Sequence, residues 1–157
     1  MTKKPMLIAS ENGRYVKFTG AIICYAADGL VKNASFTINS DCLVFDSGTW
    51  VSGVVSRGSF THCTWLNGTL RSGWFVDGVW DNGVFLSGMC CHSQWRDGIF
   101  DGGVFWGGKW KNGIWKGGTW HDGIWTGGKW IYGYDKNDKP HKRSPNKWKM
   151  YSGAINK

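Results

Sequence analysis

Several things are missing from this sequence, and each absence narrows what it can be. No run approaches 18 consecutive apolar residues, so no transmembrane helix is expected. The opening Met1-Thr-Lys-Lys-Pro has no apolar core and no cleavage site, so no secretory signal is expected either. The cysteines number five, an odd count without framework spacing. That argues for reduced thiols and synthesis in a cytoplasm. Catalytic constellations are poor: there is no nucleophile elbow, phosphate loop or paired-carboxylate motif. The four histidines, His62, His92, His121 and His141, are scattered, and adjacency in His121-Asp122 does not make a dyad. His62-Cys63 and Cys90-Cys91-His92 hint at a metal site. Four-sided threading sends the two histidines to different corners, and Cys63 and Cys90 fit inward slots as small hydrophobes. The chain is therefore expected to be no enzyme and to hold no metal and no cofactor. Proline is also scarce, with three in 157 residues, against 24 Gly and 12 Trp.

What is present is a period. From about Phe45 to Trp130, every fifth residue from Trp50 on is apolar: Trp50, Val55, Phe60, Trp65, Leu70 and so on to Trp125 and Trp130. Two residues before each stands Gly, except for Cys63 and Ser93. An internal repeat this long has to be read before any secondary structure. Five fits neither the 3.6-residue helix nor the two-residue strand alternation. It fits a short extended step followed by a corner. Residues i and i+2 of an extended step share a face, so the large residue and the small one point the same way, inward. Four such sides close a square coil of about twenty residues, with coils stacking at about 4.8 Å; a ten-residue coil is the alternative weighed. Glycine leaves volume for the neighbouring ring and tolerates a corner. Each inward aromatic can bury about 150–250 Å², worth roughly 4–6 kcal/mol at about 25 cal/mol/Å² as an upper bound. That outweighs about 1 kcal/mol of backbone entropy per glycine. The indole N–H groups need acceptors, and a corner carbonyl is the expected one.

A large apolar centre, a small residue two places earlier and a strict five-residue register resemble the pentapeptide-repeat family over just over half the chain. The resemblance implies a right-handed quadrilateral β-helix. That family usually has Leu or Phe at the centre and Ala, Ser, Cys, Thr or Val before it; here Trp or Phe follows Gly. The Asn-Gly-Ile-Trp and Gly-Gly-Thr-Trp arrays also resemble uncharacterised proteins of large tailed bacteriophages. If that likeness holds, the protein is made in a host cytoplasm and belongs to a virion or its assembly. Some pentapeptide-repeat proteins inhibit topoisomerases by imitating DNA. That role needs an acidic surface, and this chain has a net charge of +8.

The expected organisation is thus all-β: residues 1–44 a β-rich N-terminal cap or docking segment, 45–134 the repeat β-helix, and 135–157 a basic C-terminal tail. Met6-Leu-Ile-Ala, Tyr15-Val-Lys-Phe-Thr, Ala21-Ile-Ile-Cys-Tyr and Ala34-Ser-Phe-Thr-Ile read as strands. Glu11-Asn12-Gly13 and Asp28-Gly29 read as turns, the first as a hairpin. The cap would cover an open ladder that otherwise templates aggregation. Beyond Trp130, Pro140 is expected to prevent ladder pairing, while Trp148, Met150 and Tyr151 can tuck over the coil end.

Twenty-residue threading places Leu66, Val84, Leu86, Val104, Trp106 and Ile124 on one apolar stripe, with Thr64 and Thr126. A contiguous apolar stripe marks a contact, either with the chain's own ends or with a protein partner or second copy. Lys109, Lys111 and Lys129 follow on the next stripe. With Lys142 and Arg143 in the tail they form a candidate anion-binding set, suited to weak, salt-sensitive polyanion binding. Most tryptophans fall in the inward column, so they are core and not stacking platforms for nucleic acid. Three roles stay open: a structural or assembly rod docked through its apolar side, a pentapeptide-repeat-type protein acting on a nucleic-acid-associated target, and a module for an anionic ligand. No membrane partner is expected.

Overall fold

The structure is a computed structural model and describes residues 15–18, 26–39 and 42–148. Its architecture is a β-helix, as the five-residue period predicts. The coil, however, is not twenty residues long. Every parallel pairing in the regular ladder joins residues fifteen apart: Leu43 with Gly58, Thr49 with Thr64, Val54 with Thr69, Cys90 with Phe105 and Ile114 with Lys129. Three five-residue steps make one turn, so the rod is three-sided. From Phe45 the first side climbs through Phe60, Phe75, Cys90, Phe105 and Trp120 to Asp135, which is six turns.

Ring packing explains why the square gives way to a triangle. The second side carries Trp50, Trp65, Trp80, Trp95, Trp110 and Trp125 in one inward column. Their centroids lie 5.3, 4.7, 4.8, 4.8 and 5.0 Å apart, with planes within 15°. That spacing matches the coil rise, about 4.8 Å. The third side stacks Phe85, Phe100, Trp115 and Trp130 at 4.8, 4.3 and 4.9 Å. Within one coil the three rings meet edge to face: Phe105, Trp110 and Trp115 lie 5.6–6.4 Å apart at 69–79°. Edge-to-face contact is a favoured aromatic geometry, and three such rings close on one another and fill a triangle. Every inward residue from Phe45 to Trp115 is fully buried.

Glycine serves the corners more than the volume beside its own aromatic. Gly113 has φ +118°, a conformation that L side chains rarely adopt. A Cβ there would stand 2.5 Å from the carbonyl oxygen of Gly98, one coil below, and 3.1 Å from Trp95 Nε1. The two slots without glycine obey the same rule by another route. His62 and His92 take φ +53° and +48°, so the left-handed residue moves one place earlier and Cys63 and Ser93 follow it in ordinary geometry. Asp77 does likewise ahead of Gly78. Histidine and aspartate are among the non-glycine residues enriched in that region. Buried Ser93 donates to Cys91 O at 2.8 Å and accepts from Gly78 N–H at 3.3 Å.

At the top of the rod indole N–H groups do find carbonyls, Trp130 Nε1 donating to His141 O at 2.9 Å and Trp148 Nε1 to Arg143 O, but within the stack six do not. Nε1 of Trp50, Trp65, Trp80, Trp95, Trp110 and Trp115 is buried without a hydrogen-bond partner. The corner carbonyls are already engaged along the axis: Gly98 O accepts from Ile114 N–H and Gly113 O from Lys129 N–H, both at 2.8 Å. Each orphaned donor costs about 1–3 kcal/mol, less than the ring burial contributes.

Both ends of the ladder are covered among the described residues. β1 (Tyr15–Phe18) pairs antiparallel with β2 (Ala26–Asn39), and β2 pairs antiparallel with β3 (Cys42–Val55), which forms all three sides of the first coil. Phe36 extends the first column by stacking on Phe45 at 6.0 Å. Asp28-Gly29 is not a turn but a register irregularity inside β2. Gly29 is needed there because a Cβ would collide with the Trp50 ring. The expected Met6 and Ala21 strands and the Glu11 hairpin lie outside the described residues, as do Met150 and Tyr151.

At the far end Asp135 takes the inward slot of the first column, fully buried. Its carboxylate accepts from the N–H groups of Asn137 and Lys139 and pairs with His141 Nε2 at 2.7 Å. Burial pushes this carboxyl up, but the bonds from His141, Lys139 and Asn137 outweigh it and hold it below its ordinary value. Pro140 does pair, antiparallel to Tyr134; an edge strand needs no donor on its open side. Trp148 is buried, edge-on to Trp130 at 5.4 Å and stacked with His141 at 4.0 Å.

Candidate functional faces

A fifteen-residue coil re-sorts every outward residue. The six residues of the expected apolar stripe no longer share a side. Leu66 and Ile124 flank the second column, Val84 and Leu86 the third, and Val104 and Trp106 the first. The stripe depended on the twenty-residue count and goes with it.

A different face takes its place. Beside the first inward column run Ser59, Trp74, Met89, Val104, Thr119 and Tyr134 on one flank, and Thr61, Val76, Cys91, Trp106 and His121 on the other. From Ser59 to Tyr134 neither flank carries a Lys, Arg, Asp or Glu; Asp46 after Phe45 and Lys136 after Asp135 bound the stretch, and Asp122 pairs in register with Trp106 at its edge. Trp74 is 57% exposed and Trp106 43%. The Trp106 ring stacks on His121 at 3.9 Å. The corner beyond Trp106 is irregular because Gly107 and Gly108 both take positive φ, shifting the register there.

The other two sides carry the charge. Arg96 reaches Asp81 at 3.4 Å and Lys116 reaches Asp101 at 3.9 Å, each exactly one coil apart in register. His62 and Asp77 stand in the same relation at 3.8 Å. His62 and His92 therefore share one corner with Asp77 between them, where four-sided threading separated them. Among the described residues no three His, Cys, Asp or Glu side chains come together to hold a metal ion.

Of the anion-binding set, Lys109 and Lys111 flank Trp110 on the second side, Lys129 precedes Trp130 on the third, and Lys142 and Arg143 lie exposed in the tail. They occupy one end of the rod. Up to residue 108 the chain has eight basic and eight acidic side chains; beyond it, eleven and three. Among the described residues beyond 108, nine are basic and three acidic, so net positive charge lies at that end.

Three cysteines of the ladder are chemically quiet. Cys63, Cys90 and Cys91 are free thiols. Burial pushes the Cys63 thiol up to about 12, raises Cys90 further and raises Cys91 as well, the opposite of what a nucleophilic thiol needs. Two open grooves of about 370 Å³ flank the uncharged face. One lies against Trp74 with Arg57, Ser59 and Ser72; the other lies at His121 with Asp122, Lys136 and Asn146.

Sequence reasoning found the concentration of basic charge beyond residue 108 but missed the face beside the first column. The signal for that face was available: Trp50, Trp65, Trp80, Trp95, Trp110 and Trp125 recur every fifteen residues. Comparison with protein-family models, curated proteins and solved structures gives no match to this chain.

Proposed function

We propose that this protein is a non-enzymatic docking element, a stiff β-helical rod that engages a protein partner through its uncharged side. The observation that carries this reading is the face bearing Trp74, Met89, Val104 and Trp106. Over the five middle coils, from Phe60 to Trp120, neither flank carries a Lys, Arg, Asp or Glu, with Asp46 and Lys136 marking its two ends, while the other two sides carry charge along this stretch. Backbone demands are alike on all three sides, so strand formation alone gives no reason for one side to avoid charge. Contiguous exposed apolar surface of this kind marks contact sites. A place in a phage particle or its assembly is a narrower form of the same reading, supported only by the likeness of the Asn-Gly-Ile-Trp arrays.

The test is a double variant, Trp74→Lys with Val104→Lys. Both side chains point outward, so the melting temperature should stay close to that of the wild type. Self-association by light scattering, or capture of a defined partner from the natural source, should be lost. The reading fails if wild type and variant are both strict monomers and retain the same binding proteins.

A further inference from the structure

Exposed large hydrophobic side chains are not spread along the rod. Apart from Trp74 and Trp106, which lie on the face beside the first column, those among the described residues are Ile114, Ile124, Ile131, Tyr132 and Tyr134, all beyond residue 108 where the net charge lies. Three of them alternate with lysine in adjacent coils: Lys109 lies beside Ile124, Ile114 beside Lys129, and Lys116 one coil below Ile131. Ile124 is 58% exposed and Ile131 45%. Above this collar the tail adds Lys139, Lys142, Arg143 and Lys147, all exposed.

We propose that this end of the rod binds the surface of an anionic lipid bilayer. Positive charge alone suits any polyanion. The isoleucines decide between them. A phosphate backbone offers nothing apolar to an exposed aliphatic side chain, whereas a bilayer places acyl carbon just beneath its anionic headgroups. Lysine stems can lie along that boundary with their ammonium groups among the headgroups. Tyr is enriched at the same depth, where exposed Tyr132 would sit. Each Lys or Arg near an anionic surface contributes about 1 kcal/mol. Among the described residues no helix is long and apolar enough to cross a membrane, and a peripheral contact needs none. The expectation of no membrane partner rested on the missing apolar run, which bears on spanning alone.

The test is co-sedimentation of the full chain with vesicles of phosphatidylcholine alone or mixed with phosphatidylglycerol, at low and high salt, alongside a short duplex DNA. The protein should bind the mixed vesicles selectively and release at high salt. Lys109→Ala with Lys111→Ala and Lys129→Ala should lose on the order of a hundredfold in vesicle affinity. Ile124→Ser with Ile131→Ser should lose about tenfold at unchanged charge. All five positions are exposed, and an unchanged circular dichroism spectrum checks that the variants fold. Trp74→Lys with Val104→Lys should bind vesicles at least as well, which separates this site from the uncharged face. Duplex binding without vesicle binding overturns the proposal, as does vesicle binding that the serine variants leave untouched.

Discussion

The coil around Phe60 and the coil around Trp120 have the same interior plan and share little outside it. Inside, both present three large apolar residues behind corner turns. Outside, the first shows Thr61, Thr64, Leu66, Thr69 and Arg71; the second shows His121, Ile124, Thr126, Lys129 and Ile131. The ladder asks the same of both, so it explains what they share and not how they differ. The repeat specifies the rod, and the departures from it carry whatever is particular to this protein.

The shared interior can be broken most directly at its centre. Trp110 is stacked between Trp95 and Trp125 at 4.8 and 5.0 Å and meets Phe105 and Trp115 edge-on. Trp110→Ala should cost about 3–5 kcal/mol in chemical denaturation, because a rigid stack cannot collapse around the cavity. A smaller effect is expected at the corner. Gly113→Val forces a β-branched residue to φ +118° and against the Gly98 carbonyl. It should cost at least about 1–3 kcal/mol. Lys116→Ala on the exterior removes only an exposed pair with Asp101 and should stay within about 0.5 kcal/mol of wild type. Equal melting temperatures for those two variants would contradict the separation of interior from exterior.

The third prediction sharpens the contrast at the top of the rod, where a carboxylate replaces the ring. Asp135 is held below its ordinary value in the folded state. Its contribution to stability is therefore present above the usual aspartate value, about 3.9, and fades as pH falls through the lower folded one. Denaturation at neutral and acid pH should show that fading in the wild type and less of it in Asp135→Asn. An identical acid dependence in the two would show that the buried carboxylate does not secure the cap.

Much of this was legible in the residues alone. Period five, inward aromatics, corner glycines and a Trp148 plug all followed from volume and strand alternation. The number of sides did not, because Trp, Phe, Leu and Val satisfy the same apolar slot and the five-residue register repeats at every multiple of five. Only the finer choice between Trp and Phe, with Trp at 50, 65, 80 and onward, distinguishes fifteen from twenty. The faces were lost with the coil count: one five-residue error per turn moved Val84 and Val104 onto one side when they belong to two. The short left-handed corners at His62 and His92 were hidden for a different reason. A histidine at positive φ looks in sequence like any polar loop residue, and only the missing glycine after it gives a hint.

The central claim is the fifteen-residue coil, and cysteine pairs test it. Thr64 and Val79 are register partners on adjacent coils, at about the 4.8 Å strand spacing, which lies within disulfide reach. Thr64 and Val84 are twenty residues apart and flank different inward columns. Under mild oxidation, Thr64→Cys with Val79→Cys should form an intramolecular disulfide, identified by peptide mapping, and Thr64→Cys with Val84→Cys should not. Cross-linking of the second pair in place of the first would contradict the three-sided rod.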